Sequence, residues 1–341
     1  MHRTAQQIHR HIQTANKVVL VSHQNPDGDT LGSSLSLAEY LLSMDKNVQI
    51  FCLSLVPEKF NFLHNINLVS NDPKIFNDAD VIIVVDCGDL RYAGVADIIK
   101  DHPASIVNID HHATNEKYGL FNLVADKSAS TTEIVYNFFK ANTIRITPTM
   151  ATALLMGLIT DTDNFTNSAT SYTALTASGE LLRLGANWII INRSLMQNKS
   201  INLFKLWGVV LGRLKKKEEI GLAYTYLTNQ DLKKYNASDA DAEGISNFLN
   251  KLNDTTISLF MKETEDGKIK GSFRTTQEGV DVAALAKKLG GGGHKKAAGF
   301  TAEGSIESIV QRVVDLSRFS SAENRGSSIP LTKAESGQNQ K

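Results

Sequence analysis

Ser22-His23-Gln24-Asn25-Pro26-Asp27-Gly28-Asp29 is the stretch whose reading decides the fold. Ahead of it, Val18-Val19-Leu20-Val21 is an apolar run of strand length, and behind it Leu31, Leu35, Ala38 and Leu41 recur at helical spacing. A strand, a short polar loop and a helix open an α/β unit, and open α/β sheets gather ligands beyond the carboxyl ends of their strands. The loop carries one imidazole and two carboxylates. Pro26 fixes one dihedral and Gly28 is expected to permit an unusual one, which would aim Asp27 and Asp29 inward. Carboxylates this close repel unless a cation or a proton intervenes. Taken alone, the loop also reads as a turn with an Asp N-cap.

Further along, the same design recurs. Val81-Ile82-Ile83-Val84-Val85 is apolar throughout, as in a strand buried on both faces, and it ends in Asp86-Cys87-Gly88-Asp89. Asp89 and Arg91 are close enough in sequence to pair with each other, so a substrate role for Arg91 stays open. Ser105 to Ile109 reads as a third strand running into Asp110-His111-His112, where the acid can orient an imidazole. Ser130 with Glu133 forms a capping-box pattern before a helix from Thr131 to Ala141. A helix from Met150 to Ile159 delivers Thr160-Asp161-Thr162-Asp163, and another from Ser171 to Leu184 stops at Gly185. Strands alternating with helices to about residue 190 predict a doubly wound, mainly parallel-sheet α/β domain. An N-terminal helix over residues 4–16 is expected to leave His2, His9 and His11 in solvent.

Residues 187–217 read as continuous helix, so 191–220 is expected to be a helical connector. Leu222 to Leu227 reads as a strand, and Thr255 to Glu263 with Lys268 to Thr276 as a hairpin around Glu265-Asp266-Gly267. A helix over Asp281 to Leu289 leads into Gly290-Gly291-Gly292-Gly293-His294. The expectation is a smaller α/β domain with a mixed sheet over 221–318, then a disordered tail over 319–341 rich in Ser, Gln, Asn and charge.

At 341 residues the chain has length for two domains. Its 36 basic and 36 acidic residues cancel, and residues 221–320 hold 13 Lys and Arg against 13 Asp and Glu. That balance argues against a long polyanion track and for a small anionic substrate. Cys52 and Cys87 imply no disulfide framework, and neither a signal peptide nor a membrane span is legible. A cytoplasmic protein is expected, and a homodimer stays open.

Collected, the strand-end and helix-end groups are His23, Asp27, Asp29, Asp86, Asp110, His111, His112 and Asp161. Imidazoles and carboxylates without thiolates suit Mn²⁺ or Mg²⁺ more than a structural zinc. So many donors exceed the needs of one ion with an open position. They suit two divalent ions sharing a carboxylate, an arrangement that serves in-line displacement at phosphorus.

The runs SHQNPDGD, VVDCGD, NIDHH and LITDTDNF, in that order, resemble the four motifs of the DHH phosphoesterases. GGGGHKKAAGF, with FRTT upstream, resembles the signature of the DHH-associated C-terminal domain. Length and layout are most similar to the bifunctional oligoribonuclease and 3′-phosphoadenosine-5′-phosphate (pAp) phosphatase branch. The resemblance implies that His23, Asp27 and Asp86 hold one metal and that Asp29, Asp86, His111 and Asp161 hold the second, with Mn²⁺ preferred over Mg²⁺. It implies that Asp110 orients an imidazole, that His112 faces the substrate phosphate, and that Asn25 contacts phosphate or metal-bound water. Arg274, Gly292, Gly293 and His294 would bind substrate in an inter-domain cleft. The implied substrates are very short RNA, cleaved to 5′-mononucleotides, and pAp. A cyclic- or linear-dinucleotide phosphodiesterase is the alternative, ahead of a single-strand exonuclease, a manganese pyrophosphatase and a nucleotide sensor without catalysis.

Overall fold

The structure, a computed structural model, describes residues 1–197, 200–237, 239–242 and 244–325. It divides into two compact units, Met1–Asn198 and Lys199–Lys341. The first unit carries six parallel strands: β1 (Lys17–Val21), β2 (Asn47–Phe51), β3 (Val69–Ser70), β4 (Val81–Val85), β5 (Ser105–Asp110) and β6 (Phe121–Val124). Their order in the sheet is β3-β2-β1-β4-β5-β6. Alternate residues of each central strand serve different layers. Val18, Leu20, Ile83, Val85, Val107 and Ile109 pack into one core, and Val19, Val21, Ile82 and Val84 into another. Both faces are covered, which is why these strands read as unbroken apolar runs.

The helices of this unit are α1 (His2–Thr14), α2 (Gly28–Leu42), α3 (Ala96–Ile99), α4 (Thr131–Ala141), α5 (Pro148–Asp161), α6 (Tyr172–Arg183) and α7 (Trp188–Asn192). Ser130, Thr147 and Ser171 cap α4, α5 and α6, each accepting an amide N–H three residues on. Strand order reverses between β1 and β4. That reversal opens a crevice beyond their carboxyl ends, where ligands of doubly wound sheets bind.

Several expectations are corrected. Gly28 has no left-handed backbone angle; the loop's positive φ belongs to Asn25, at 56°. Glycine is needed at 28 because a Cβ there would meet Thr160 Oγ1 at 2.4 Å. The capping box is half formed, since Glu133 Oε2 accepts from Ala129 N rather than from the cap residue. His9 and His11 are half-buried rather than solvated, and the Tyr40 hydroxyl meets His9 Nδ1 at 2.7 Å. β3 and β6, with two and four residues, are too short to carry a readable period.

The second unit holds a mixed sheet in the order β11-β12-β10-β9-β8-β7. Its strands are β7 (Lys215–Lys217), β8 (Leu222–Leu227), β9 (Ile257–Glu263), β10 (Ile269–Arg274), β11 (Gly292–His294) and β12 (Ala297–Ala302). β8 and β9 pair in parallel, and the other neighbours in this order pair antiparallel. Helices α8 (Ile201–Gly212), α9 (Asn229–Lys234), α10 (Ile245–Leu249), α11 (Val282–Lys288) and α12 (Ile306–Arg325) complete it.

Residues 187–217 are therefore not one helix. α7 passes into a π-helical turn over Arg193–Gln197, Ser200 starts α8 afresh by accepting Leu203 N–H, and the three lysines form an edge strand. Lysine suits that edge, because its charge discourages pairing with another chain. Within the glycine run, Gly292 to His294 pair with Ala297 to Gly299. α12 runs through residues 319–325, where a disordered tail was expected; residues 326–341 lie outside the described residues.

Candidate active site

Four chain segments meet at the crevice of the first unit. The loop after β1 brings His23 and Asp27. His23 Nδ1–H donates to the Gln24 carbonyl at 2.8 Å, which leaves the Nε2 lone pair facing inward. That Nε2 lies 3.6 Å from Asp27 Oδ1 and 3.5 Å from Asp86 Oδ2. Asp27 also caps α2, accepting the amides of Asp29 and Thr30 at 3.0 and 3.1 Å. The capping and the site-forming readings of Asp27 thus hold together.

Asp29, fully buried in the first turn of α2, is held by the start of α4. Its Oδ2 accepts Thr131 N–H at 2.6 Å and its Oδ1 accepts Thr132 N–H at 2.8 Å. The first amides of a helix have no partner within it, so they suit a carboxylate. Thr131 also donates its hydroxyl to Asp86 Oδ1 at 3.0 Å. Sequence reading missed Thr131 and Thr132, although the Ser130 cap already implied two free amides behind it.

Asp86 leaves β4 with φ at 57°, left-handed for a non-glycine residue. Its two oxygens face different partners: Oδ2 turns to His23, and Oδ1 lies 3.6 Å from His111 Nε2. His111 Nε2 is in turn 3.3 Å from Asp161 Oδ2 at the end of α5. The donors fall into close groups of His23, Asp27 and Asp86, and of Asp29, His111 and Asp161, with Asp86 also beside His111 and His112. Asp86, His111 and His112 form a third such group, within which the Nδ1–H of His112 is committed to Asp110 Oδ1 at 2.8 Å. The imidazole that Asp110 orients is therefore that of His112.

The electrostatics are those of a site with surplus negative charge. Burial opposes charge on His23, yet Asp27 and Asp86 outweigh it and raise its pKa to about 11. Burial, then Asp86 and Asp27, pushes Asp29 well above the carboxylate range, and burial with Asp29, Asp86 and Asp27 does the same to Asp161. Burial works against Asp27 and Asp110 too, but His23 and His112 respectively hold them below the usual value. Asp110 raises the pKa of His112 against the effect of burial. A cluster that gathers protons in this way is chemically suited to divalent cations. The donor set, imidazole nitrogen and carboxylate oxygen, fits them as well.

Other expected contacts vary. Asn25 is exposed and receives support from Ser54, whose Oγ accepts Asn25 N–H at 3.1 Å. Arg91 pairs with Asp89 through Nε at 2.8 Å, and Glu116 stands 3.9 Å from its Nη2. In the second unit Ala297 pairs with both Arg274 and His294, so the two lie in one cross-strand row and on one face. They stand about 10 Å apart, two strand spacings. Beside them Ser272, Gly299 and Gly292 form the next row of that face. Phe273, Ala298 and Phe300, on the other face, are buried with residues of α11 and α12. Arg274 is half-buried, donates among the described residues to the neutral Asn247 Oδ1 (3.3 Å) and Phe273 carbonyl (2.9 Å), and has its pKa lowered by burial. A desolvated guanidinium with neutral partners favours an anionic ligand.

A parallel sheet whose switch point collects imidazoles and carboxylates around a shared aspartate defines a hydrolase acting on phosphoesters, and the chain belongs to the DHH family. The DHH family N-terminal domain matches residues 17–158 and the DHHA1 domain matches residues 219–317. The "Bifunctional oligoribonuclease and PAP phosphatase NrnA" of Thermus thermophilus is 28% identical over 88% of this chain and 89% of its own. The protein of the same name from Bacillus subtilis is 26% identical over 85% and 90%. Among solved structures, an exopolyphosphatase-related protein from Bacteroides fragilis superposes with a TM-score of 0.87 at 26% identity, covering 94% of this chain and 98% of that one. Among the described residues, no helix is long and apolar enough to cross a membrane.

Proposed function

We propose that this chain is a divalent-metal-dependent hydrolase that cleaves very short oligoribonucleotides to 5′-mononucleotides and converts pAp to AMP. The observation that carries the reading is the Asp86 carboxylate, whose oxygens face His23 and His111. The choice of substrate rests on the likeness to the Thermus and Bacillus proteins, which extends over most of both chains. His23, Asp27 and Asp86 would hold one ion and Asp29, Asp86, His111 and Asp161 a second, with Mn²⁺ favoured by the mixed nitrogen and oxygen donors. Such ions supply Lewis acidity toward a phosphoryl oxygen and an activated water for in-line attack.

The chain's own groups do the rest. His112, its Nδ1–H fixed by Asp110, turns Nε2 to the substrate phosphate as a donor of charge or of a proton. Asn25 adds a polar contact at the loop. Arg274, with the bare backbone of Gly292 and Gly293 and the ring of His294, offers a face for a second anionic group. Balanced charge elsewhere supplies no track for longer RNA.

The test is a Mn²⁺ assay over pAp, dinucleotides, five-mers, longer RNA and a cyclic dinucleotide. Dinucleotides to five-mers and pAp should turn over, with kcat/KM falling as RNA lengthens. A preference for the cyclic dinucleotide over every linear substrate would move the assignment to the cyclic-dinucleotide class. Equal rates on long RNA would move it to an exonuclease.

A further inference from the structure

The loop following β5 is built on three amide side chains, Asn108, Asn115 and Asn122, and one of them reaches the site. Asp110 is fully buried, and each of its oxygens has one partner: Oδ1 takes His112 Nδ1–H at 2.8 Å and Oδ2 takes Asn115 Nδ2–H at 2.6 Å. The orientation of the Asn115 amide is not free. Its Oδ1 accepts the backbone N–H of Lys117 at 2.7 Å and Asn108 Nδ2–H at 2.8 Å. A backbone N–H can only donate, so the oxygen must stay there and the NH₂ must face Asp110. Asn108 is itself fully buried, and its NH₂ also donates to Asn122 Oδ1 at 3.1 Å. Asn122 closes the chain on Gly119, accepting its N–H at 3.0 Å and donating to its carbonyl at 2.7 Å. Asn115 N–H further donates to the His112 carbonyl at 3.1 Å, which closes the turn between them.

We propose that Asn115 is a positioning residue for His112, acting through Asp110. With Oδ2 held by Asn115, the Asp110 carboxylate cannot rotate, and Oδ1 stays on His112 Nδ1–H. The ring is then fixed in one orientation with Nε2 turned to the substrate. Without Asn115, Oδ2 is an unpartnered buried carboxylate oxygen, and Asp110 must turn or share His112's proton between its two oxygens. The inference rests on the proposed role of His112 toward the phosphate. It is independent of which phosphoester is the natural substrate.

The test uses the full chain and an activated diester, bis(p-nitrophenyl) phosphate, with Mn²⁺. Asn115→Ala should lower kcat by about 10- to 100-fold, as outer-sphere partners of catalytic groups do, with KM and bound Mn²⁺ unchanged. In a His112→Ala background the same substitution should add less than about 2-fold, because the ring it positions is gone. Asn122→Ala, two amides further from Asp110 than Asn115, should lower Tm yet leave kcat within about 2-fold. Nitrogen-15 NMR of metal-free protein gives a readout without turnover. The His112 ring should be protonated at Nδ1 in the parent and a mixture of tautomers in Asn115→Ala. Asn115→Ser serves where the alanine variant does not fold.

Equal losses from Asn115→Ala with and without His112 would overturn the proposal, as would an unchanged His112 tautomer signal. The oligoribonuclease reading fails separately: RNA and pAp can go uncleaved while the diester kinetics and the NMR signature still report on Asn115.

Discussion

Asp86 sits in a left-handed backbone conformation that costs a non-glycine residue about 1–2 kcal/mol. Its carboxylate gives the strain a use. The turn after β4 places one oxygen toward His23 and the other toward His111, a division no extended residue at a strand end provides. Asp86→Ala should therefore bind fewer than two Mn²⁺ per chain and lose turnover while circular dichroism stays that of the parent; elemental analysis after gel filtration checks it. His112→Ala should keep its metals and lose about 10²-fold in kcat, as for one transition-state donor. Loss of a metal in that variant would make His112 a ligand. At this scale the sequence was readable wherever an imidazole or carboxylate ended an apolar run. Thr131, Thr132 and Asn115 were not: the partner of the two threonine amides, Asp29, lies 102 and 103 positions away, and Asn115 acts through a side-chain hydrogen bond to Asp110 that carries no periodic pattern.

Two helices, α2 and α5, approach each other through glycine. A Cβ on Gly157 would meet Thr132 Cγ2 at 2.4 Å and Asp29 Oδ1 at 2.9 Å, so that position is occupied by a threonine of α4 and by a site carboxylate. Gly157→Ala should destabilise by about 1–3 kcal/mol, the usual range for overpacking. It should also weaken metal binding at the group containing Asp29 more than at the group containing His23. Denaturant melts and Mn²⁺ titration of the variant measure both. Helical spacing made α2, α4, α5 and α6 legible, and Asp27, Ser130 and Ser171 mark the starts of α2, α4 and α6. The stretch from 187 to 217 misled because its apolar residues carry no visible break at the Ser200 cap. The strand Gly292–His294 was not legible because a short edge strand made of glycine has no side chains to alternate.

Across the whole molecule, the site's protons couple stability to pH. The raised pKa values of Asp29 and Asp161 mean that the folded, metal-free chain holds protons the unfolded chain releases above about pH 4, so stability falls as pH rises from there. His23, raised to about 11, adds stability that is complete below about pH 6.5 and is lost as pH climbs toward 11. Asp27 and Asp110, both lowered, lose their contributions only as pH drops below about 4. The metal-free protein should thus be most stable near pH 4–6, and added Mn²⁺ should raise Tm far more at pH 8 than at pH 5. Calorimetry at the two pH values decides, and a larger gain at pH 5 would contradict the electrostatic account.

Whether one carboxylate serves two cations is tested most directly by electron paramagnetic resonance of the Mn²⁺-loaded chain. Cations bridged in this way lie about 3.5–4 Å apart, close enough for their spins to couple. Titration should reach two Mn²⁺ per chain with a spin-coupled signal that Asp86→Ala abolishes. Saturation at one ion, or two ions with the spectrum of isolated Mn²⁺, would contradict the bridge and with it the proposed site.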